Sequence, residues 1–461
     1  MSAVSPLARG GASDLLANPD RERELLNGIA HRALDRAAER GADQAEVSVS
    51  SSLNREAGVR LGEIEVLEEA RDRGVRITVY CGGCSGSAST GDLRPEVIDQ
   101  AVDRALAIAR HTQRDPAAGL AEAELMASDL PDLDLWHPVD LDMSELIERA
   151  REIEQAGRDS DARISNSEGA SVSAETGMSV YANSHGFSGS NRGTRYSQSC
   201  ILIAADDAGM QRDYDWDSRR RFDQLAAPEI TGQEAAKRTL RRLGARRVPT
   251  GKVPVLFVPE VSRGLIGHLI GAVSGGQLYR RASFLLDAVG TQVLPSWASL
   301  IESPRQPGGP ASASFDADGV ATRESALVAD GELLRYVLST YSARRLGLTT
   351  TANAGGVRNL RFTGGRHRYD ELLGEMNRGL VVTELMGQGV NLVTGDYSRG
   401  AAGFWVENGE IAWPVEEITI AGQLRDMLGS LRAAGTDHDE RHSVQVPSLL
   451  VDTMMVAGQS D

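Results

Sequence analysis

The sequence predicts an α+β fold: two N-terminal units, each a helix with antiparallel strands, followed by a large bent antiparallel β-sheet domain with a few helices. Three observations support this class. Apolar residues recur at helical spacing over 20–40, 95–111 and 143–157. Alternating, strand-like segments separate these helices and dominate the chain beyond residue 250. The 49 glycines among 461 residues indicate many turns and bends.

The first domain is predicted over 20–115. The segment before it, 1–19, is small, polar and glycine-containing, and we predict that it is disordered. Asp92 and Pro95 suit the start of the second helix of the domain. Its strand-like segments are 45–52, 57–62 and 74–81. The acidic, proline-containing stretch 116–139 is predicted to be a linker.

The central domain is predicted over 140–247. After its first helix, the alternating residues 171–187 predict a hairpin with Gly177 at or near the turn. A long strand is predicted over 194–207. The domain closes with a helix over 231–245, which has Gly244 near its end.

The C-terminal domain, 248–461, is predicted to be rich in β-strands. The dipeptides Asp330-Gly331 and Asn408-Gly409 lie between alternating apolar runs and predict tight hairpins. A helix is predicted over 421–435. Antiparallel strands need only short connections, so these turns favour a large antiparallel sheet.

Charge and cysteine content restrict the classes of function. The formal net charge of −16 argues against binding to phosphate backbones, so no nucleic-acid partner is expected. No stretch approaches the ~20 apolar residues that cross a bilayer, and the chain opens without an apolar leader. Three cysteines fit a reducing compartment, so a cytoplasmic location without a membrane partner is expected. Cys81 and Cys84 are predicted to flank a hairpin turn as structural thiols, with a labile disulfide as the alternative.

Two histidine patterns are candidates for chemistry. His268 is alone on an amphipathic helix, and its neighbours one turn away, Gly264 and Ala272, cannot bind a metal. We therefore expect His268 to be structural. His438 and His442 have the spacing of a metal-binding helix, but their context predicts a polar loop, so they form only a weak candidate pair.

Nearly the whole chain, from about residue 20 onward, resembles the TldD/PmbA family, on its PmbA (TldE) side. The longest stretch that carries the likeness is "GVNLVTGDYSRGAAGFWVENGEIAWPVEEITIAG". The other stretches are 86–110, 312–323, 341–356 and 447–458. Ala352 and Gln423 stand where glycine and asparagine are expected. The resemblance implies a cytoplasmic zinc-dependent peptidase in which a TldD-type and a PmbA-type subunit surround an enclosed cavity.

In that family the TldD-type subunit carries HExxxH on a helix and a further cysteine ligand near its C-terminus. The resemblance places Gly267, His268 and Ala272 at the first His, the Glu and the second His of that motif. The segment 435–448 contains no cysteine. The resemblance therefore implies no cofactor in this chain and zinc in the partner subunit.

The leading hypothesis is a catalytically silent PmbA/TldE-type subunit that lines the cavity and holds extended peptides. The residues expected to contact peptide or the other subunit are Phe315, Asp316, Asn391, Asp396, Tyr397 and Arg399, while a bent strand with glycine kinks is the structural alternative for 386–403. Two functional alternatives stay open. One is a stand-alone metallopeptidase with metal at His438 and His442. The other is a regulatory protein-binding modulator related to toxin–antitoxin systems or gyrase. A homodimer also remains open.

Overall fold

The structure, a computed structural model, describes residues 13–207 and 209–458. Its α-helices are α1 (Ser13–Ala17), α2 (Pro19–Glu39), α3 (Pro95–His111), α4 (Met143–Arg158), α5 (Pro228–Leu240), α6 (Pro259–Ala272), α7 (Gly275–Tyr279), α8 (Thr340–Leu346), α9 (Tyr369–Met376) and α10 (Leu424–Gly429). None of these helices has the length and apolar character needed to cross a bilayer. Of the segment predicted to be disordered, residues 1–12 lie outside the described residues. The rest differs from the prediction, because α1 forms there and buries Leu15.

Seventeen strands occur in the described residues. They are β1 (Gln44–Arg60), β2 (Glu63–Cys81), β3 (Cys84–Thr90), β4 (Ile164–Asn183), β5 (Ser188–Asp206), β6 (Gly209–Arg219), β7 (Gly251–Phe257), β8 (Ser299–Glu302), β9 (Ser325–Ala329), β10 (Glu332–Leu333), β11 (Leu360–Thr363), β12 (Gly379–Met386), β13 (Asp396–Glu407), β14 (Glu410–Gln423), β15 (Leu431–Ala434), β16 (Val444–Gln445) and β17 (Leu449–Ala457). The mixture of helices and sheets confirms the α+β class.

The chain divides into two compact units. The first contains residues up to Leu202 together with 213–236 and 313–322. The second contains 203–212, 237–312 and the residues from Arg323 onward. The predicted linker between the first and central domains thus lies inside the first unit.

A single six-stranded sheet, in the order β3-β2-β1-β4-β5-β6, joins the predicted first and central domains. One core lies against α2 and α3, where Leu26 and Ile98 are fully buried. A second core lies against α4 and α5, where Leu146 and Ile153 are fully buried. The helices cover the sheet because their apolar residues recur every three or four positions.

The hairpin predicted at Gly177 is wrong. β4 runs without interruption through Gly177, which lies opposite Ser52 of β1. The chain turns instead after Asn183, where Gly186 adopts a φ of +85°. Gly177 keeps an ordinary strand conformation because both flanking segments pair with the same neighbour, so nothing there requires a turn.

The second unit contains two sheets. One has the order β10-β9-β8-β11-β16, and the other has the order β14-β13-β12-β7-β17-β15. An additional pairing between β14 and β17 closes the second sheet on itself. The pairs β7–β12 and β11–β16 are parallel, which differs from the single antiparallel sheet predicted. Long connections that carry helices separate the members of each pair, and such connections permit parallel pairing.

The two tight turns predicted from Asp-Gly and Asn-Gly dipeptides are confirmed. Asp330-Gly331 and Asn408-Gly409 connect β9 to β10 and β13 to β14, and all four residues have positive φ. Cys81 and Cys84 face each other across the Gly82-Gly83 turn, with both thiols free. The helix predicted over 421–435 is wrong except for α10, because the residues on either side pair with strands: Ala421 with Met455 and Leu431 with Val451, both in β17.

Candidate functional site

Helix α6 starts directly after the central strand β7 of the closed sheet. Pro259 lies in its first turn, where backbone amides have no acceptor within the helix, so the missing N–H of proline costs no hydrogen bond. The Ser262 hydroxyl donates to the Pro447 carbonyl at 2.8 Å, and Arg238 pairs with Glu260 at 3.0 Å. The buried face of the helix consists of Ser262, Leu265, Ile266, Leu269 and Ala272. These contacts fix the helix against the core of its unit.

His268 lies half-buried beside this core-facing side of α6. Its ring meets the ring of Tyr397 edge-on, with centroids 6.0 Å apart. Burial lowers the pKa of His268, and the positive charge of Arg399 lowers this pKa further. The imidazole is therefore neutral near pH 7. Its ring makes no hydrogen bond within 13–207 and 209–458, which is the pattern of a packed side chain.

The lowered pKa of His268 predicts a measurable loss of stability in acid. In the folded chain this pKa lies below 6.5, its ordinary value. As the pH falls through 6.5, the unfolded chain binds a proton that the folded chain does not bind, so the free energy of unfolding decreases. His268→Gln removes this contribution. Urea unfolding at about pH 7.5 and about pH 5 should show a smaller acid loss for the variant than for the wild type. If the free energy of unfolding fell by the same amount in both proteins, His268 would not be the source of the acid sensitivity.

The other two positions of the zinc pattern have different surroundings. A Cβ atom added at Gly267 would meet no atom within 4 Å. Ala272 is the last residue of α6 and is fully buried in the main core of the second unit. Its carbonyl accepts a hydrogen bond from the Ser283 hydroxyl at 2.7 Å. One of the lost ligand positions is thus open, and the other is filled by packing.

A zinc ion does not fit the residues at these positions. Glycine and alanine offer no side-chain donor, and zinc sites take three or four ligands from His, Cys, Asp and Glu. Within the part of the chain that the structure describes, no three such residues are grouped to hold a metal. His268 is therefore the single ligating side chain at the three positions.

His438 and His442 lie on a loop, as predicted. The Nε2 atom of His438 lies 2.8 Å from the Phe362 carbonyl, to which it donates. His442 lies 3.5 Å from Asp439, and burial lowers the pKa of His442. Burial alone would raise the pKa of Asp439, but the hydrogen bonds and charge of Arg441 outweigh it and lower this pKa. The His438 contact uses a ring nitrogen for the backbone, which leaves that nitrogen unsuited to a metal.

Two of the predicted contact residues, Tyr397 and Arg399, act on His268 of α6. Asn391 and Asp396 are exposed, and Arg399 is half-buried. Tyr397 is buried against His268. The Asn391 side chain accepts the Val393 amide at 2.9 Å and so stabilises the turn before β13. The exposed members remain predicted contacts for peptide or subunit, while Tyr397 supports the helix.

Phe315 and Asp316 belong to the first unit and are almost completely buried. The Phe315 ring lies 5.3 Å from the Phe187 ring and 6.5 Å from the Tyr181 ring. Asp316 accepts the amide of Val320 at 3.0 Å. Their observed roles are packing and turn formation, and Asp316 offers no surface to a partner. This burial was not visible from the sequence, because polar and small residues surround both.

A cavity of about 230 Å³ in the first unit was missed by the sequence prediction. Phe315 borders it, together with Trp136 and Met178. Arg192 lies over the Trp136 ring at 5.5 Å. Trp136 falls in the stretch predicted to be a linker. The sequence feature that could have predicted the cavity is a group of apolar residues within that acidic stretch, since exposed connections seldom contain so many. They are Leu130, Leu133, Leu135 and Trp136.

Comparison with protein families gives matches along most of the chain. The PmbA/TldA metallopeptidase domain 1 matches residues 45–109. The central domain of the same family matches residues 136–243. Its C-terminal domain matches residues 250–458, which include α6 and the Asn391–Arg399 segment.

Individual relatives agree with these matches. The chain is 46% identical to "Metalloprotease PmbA" of Escherichia coli O157:H7 over 448 residues, which cover 97% of this chain and 99% of the relative. A crystal structure from Bacteroides thetaiotaomicron, named as a proposed modulator of DNA gyrase, superposes with a TM-score of 0.89 at 28% identity and covers 94% of this chain and 99% of that one. TldE from Thermococcus kodakarensis shares the fold, with a TM-score of 0.78 at 20% identity over 94% of this chain and all of that chain.

Proposed function

The chain belongs to the PmbA/TldA metallopeptidase family, and we propose that it is the non-catalytic, PmbA/TldE-type subunit of a two-subunit zinc metallopeptidase. The proposal is carried by helix α6. The helix keeps its apolar contacts with the core, while the three positions of the zinc pattern hold Gly267, His268 and Ala272. A helix that has lost its ligands but kept its packing fits a subunit that shapes a site without performing the chemistry.

The catalytic partner in this proposal is a TldD-type subunit that carries HExxxH and binds the zinc. The metal would acidify the attacking water, and the glutamate of the motif would act as general base. This chain supplies part of the wall around the substrate, through the exposed residues Asn391 and Asp396. The substrates are extended peptides and unfolded proteins, held by main-chain hydrogen bonds that tolerate many sequences. The chain acts in the cytoplasm.

The partnership is tested by producing the chain with and without a TldD-type subunit from the same organism. We expect the two subunits to co-purify, and we expect cleavage of an unfolded protein such as casein only in the mixture. Activity of the TldD-type subunit that does not change when this chain is added would contradict the proposal.

The bystander role of His268 gives a separate prediction. His268→Ala should leave the peptidase activity of the assembled complex within about a factor of two of the wild type, since the ring neither binds metal nor donates to substrate. Gly267→Ala is the matched control on the same helix, because added atoms meet open space there. A loss of more than about tenfold in a folded His268→Ala complex would place the imidazole in the reaction.

One observation favours a second candidate function. The Bacteroides structure that covers nearly the whole chain is named as a proposed modulator of DNA gyrase. In this alternative the chain would act by binding another protein, and its net charge of −16 disfavours direct DNA contact. A change in gyrase supercoiling on addition of the purified chain alone, without any peptidase, would favour this alternative.

A further inference from the structure

The outer edge of β2 has no partner over much of its length. On its inner side β2 pairs with β1 from Glu63 to Tyr80. On its outer side β3 pairs only with the residues from Val75 to Cys81. In the part of the chain that the structure describes, no strand pairs with the outer side of β2 from Val66 to Gly74. This nine-residue stretch, which we call the β2 edge, follows a register shift near Gly58 and then continues without a further shift.

The rest of the unit holds the β2 edge in place. The turn that begins β2 is bound by the buried carboxylate of Glu154, which accepts the amides of Leu61 at 2.8 Å and Gly62 at 2.9 Å. Further along, Arg73 pairs with the buried Glu22 at 2.9 Å. The unpaired backbone groups are therefore presented on a fixed strand, which lowers the entropy cost of adding another strand.

Exposed apolar side chains lie among the charged residues of the β2 edge. Leu67 is 55% exposed, and Val66 is 39% exposed. The neighbouring turn adds Leu61 at 48% and Ile64 at 45%. Proteins normally protect free sheet edges with short strands, prolines or charges. The β2 edge has charges, but it is long, contains no proline and leaves Leu67 and Val66 exposed, which is apolar surface that an added strand would cover.

The charges of the β2 edge differ between its two faces. Side chains alternate along a strand, so Val66, Glu68, Ala70 and Asp72 share one face. Glu68 and Asp72 form no ion pair within 13–207 and 209–458, so this face is acidic. The opposite face carries Leu67, Glu69, Arg71 and Arg73. Arg55 at 2.8 Å and Arg71 compensate the charge of Glu69, and Arg73 pairs with Glu22. One face therefore suits basic side chains. On the other face the charges are paired and Leu67 is the exposed apolar side chain, so an apolar side chain of an added strand can pack there.

We propose that the β2 edge is a strand-addition site that takes an extended segment of another protein with basic side chains on one face and apolar side chains on the other. Main-chain hydrogen bonds to the free edge hold the segment. Its basic side chains lie over Glu68 and Asp72, and its apolar side chains lie over Leu67. The site belongs to the first unit alone and does not depend on the peptidase role.

The test uses the full chain and a fluorescent nine-residue peptide of alternating lysine and valine. Binding is measured by fluorescence anisotropy. The charge-reversed variant Glu68→Lys/Asp72→Lys should bind this peptide about tenfold more weakly or worse. The matched control Glu24→Lys/Asp35→Lys changes the net charge equally at exposed positions of α2 in the same unit and should bind like the wild type. A fully N-methylated copy of the peptide cannot donate main-chain hydrogen bonds and should not bind.

Four outcomes overturn the proposal. The first is no binding of the lysine–valine peptide to the wild type, and the second is equal binding to the Glu68→Lys/Asp72→Lys variant. The third is equal binding of the N-methylated peptide, which would show charge attraction without strand pairing. The fourth is a wild-type dimer that Glu68→Lys/Asp72→Lys dissociates while no peptide binds, which would make a second copy of the chain the occupant. Circular dichroism and the thermal midpoint confirm that each variant is folded.

Discussion

Replacing Ala272 with histidine is expected to lower the free energy of unfolding by about 3 kcal/mol, because the new ring must enter a filled core and bury a polar group. Ala272 is fully buried at the end of α6, and its carbonyl already holds the Ser283 hydroxyl. The substitution restores the residue that the zinc pattern requires. A loss of stability on this substitution would therefore show that the surrounding core leaves no room for a ligand at this position. Urea unfolding followed by circular dichroism measures the effect.

Gly267→His is the matched control for this change. It introduces the same ring on the same helix, at an exposed position where an added Cβ atom meets no atom within 4 Å. Its effect on stability should stay within about 0.5 kcal/mol of the wild type or be favourable, since glycine is a poor helix former. Equal destabilisation by both substitutions would contradict the different surroundings of the two positions. So would a stable Ala272→His protein.

Glu154→Ala is expected to cost about 3 kcal/mol of stability, because one buried carboxylate receives two backbone amides of the β1–β2 turn. The loss should be local as well as global. The amides of Leu61 and Gly62 should exchange with solvent faster, since they lose their acceptor. Chemical denaturation and hydrogen exchange read out the two effects separately.

Glu152→Ala provides the comparison on the same helix. Glu152 is exposed, so its removal should change stability by less than about 0.5 kcal/mol and leave the turn amides protected. If Glu154→Ala behaved like Glu152→Ala, the carboxylate would not be holding the hairpin.

Local chemistry was sufficient to predict the tight turns. Asp330-Gly331 and Asn408-Gly409 formed hairpins because both dipeptides tolerate the positive φ that such turns require. Gly177 failed as a turn signal because its neighbours pair with β1 on both sides, which is a tertiary constraint. The helix predicted over 421–435 failed for the same reason, since Leu431 pairs with Val451 of β17. Hydrophobic periodicity and composition do not show which distant strand a segment will pair with.

The candidate site was predictable in residue identity but not in burial. The sequence shows that Gly267 and Ala272 cannot ligate a metal. It does not show that the first position is open and the second is packed. Phe315 and Asp316 were expected at a contact surface, yet both are buried in the first unit. The β2 edge escaped notice because its charges resemble those of an ordinary solvated strand, and only the pairing pattern shows that one side is free.

The central claim is that this chain does not carry the catalytic metal, and metal analysis of the purified chain tests it most directly. The chain should be produced alone in zinc-containing medium, purified without chelators and measured by inductively coupled plasma mass spectrometry. The same preparation should then be assayed for peptide cleavage with and without a chelator. We predict well below one zinc per chain and no chelator-sensitive cleavage. Near-stoichiometric zinc together with cleavage that a chelator abolishes would contradict the account and make the chain a metallopeptidase in its own right.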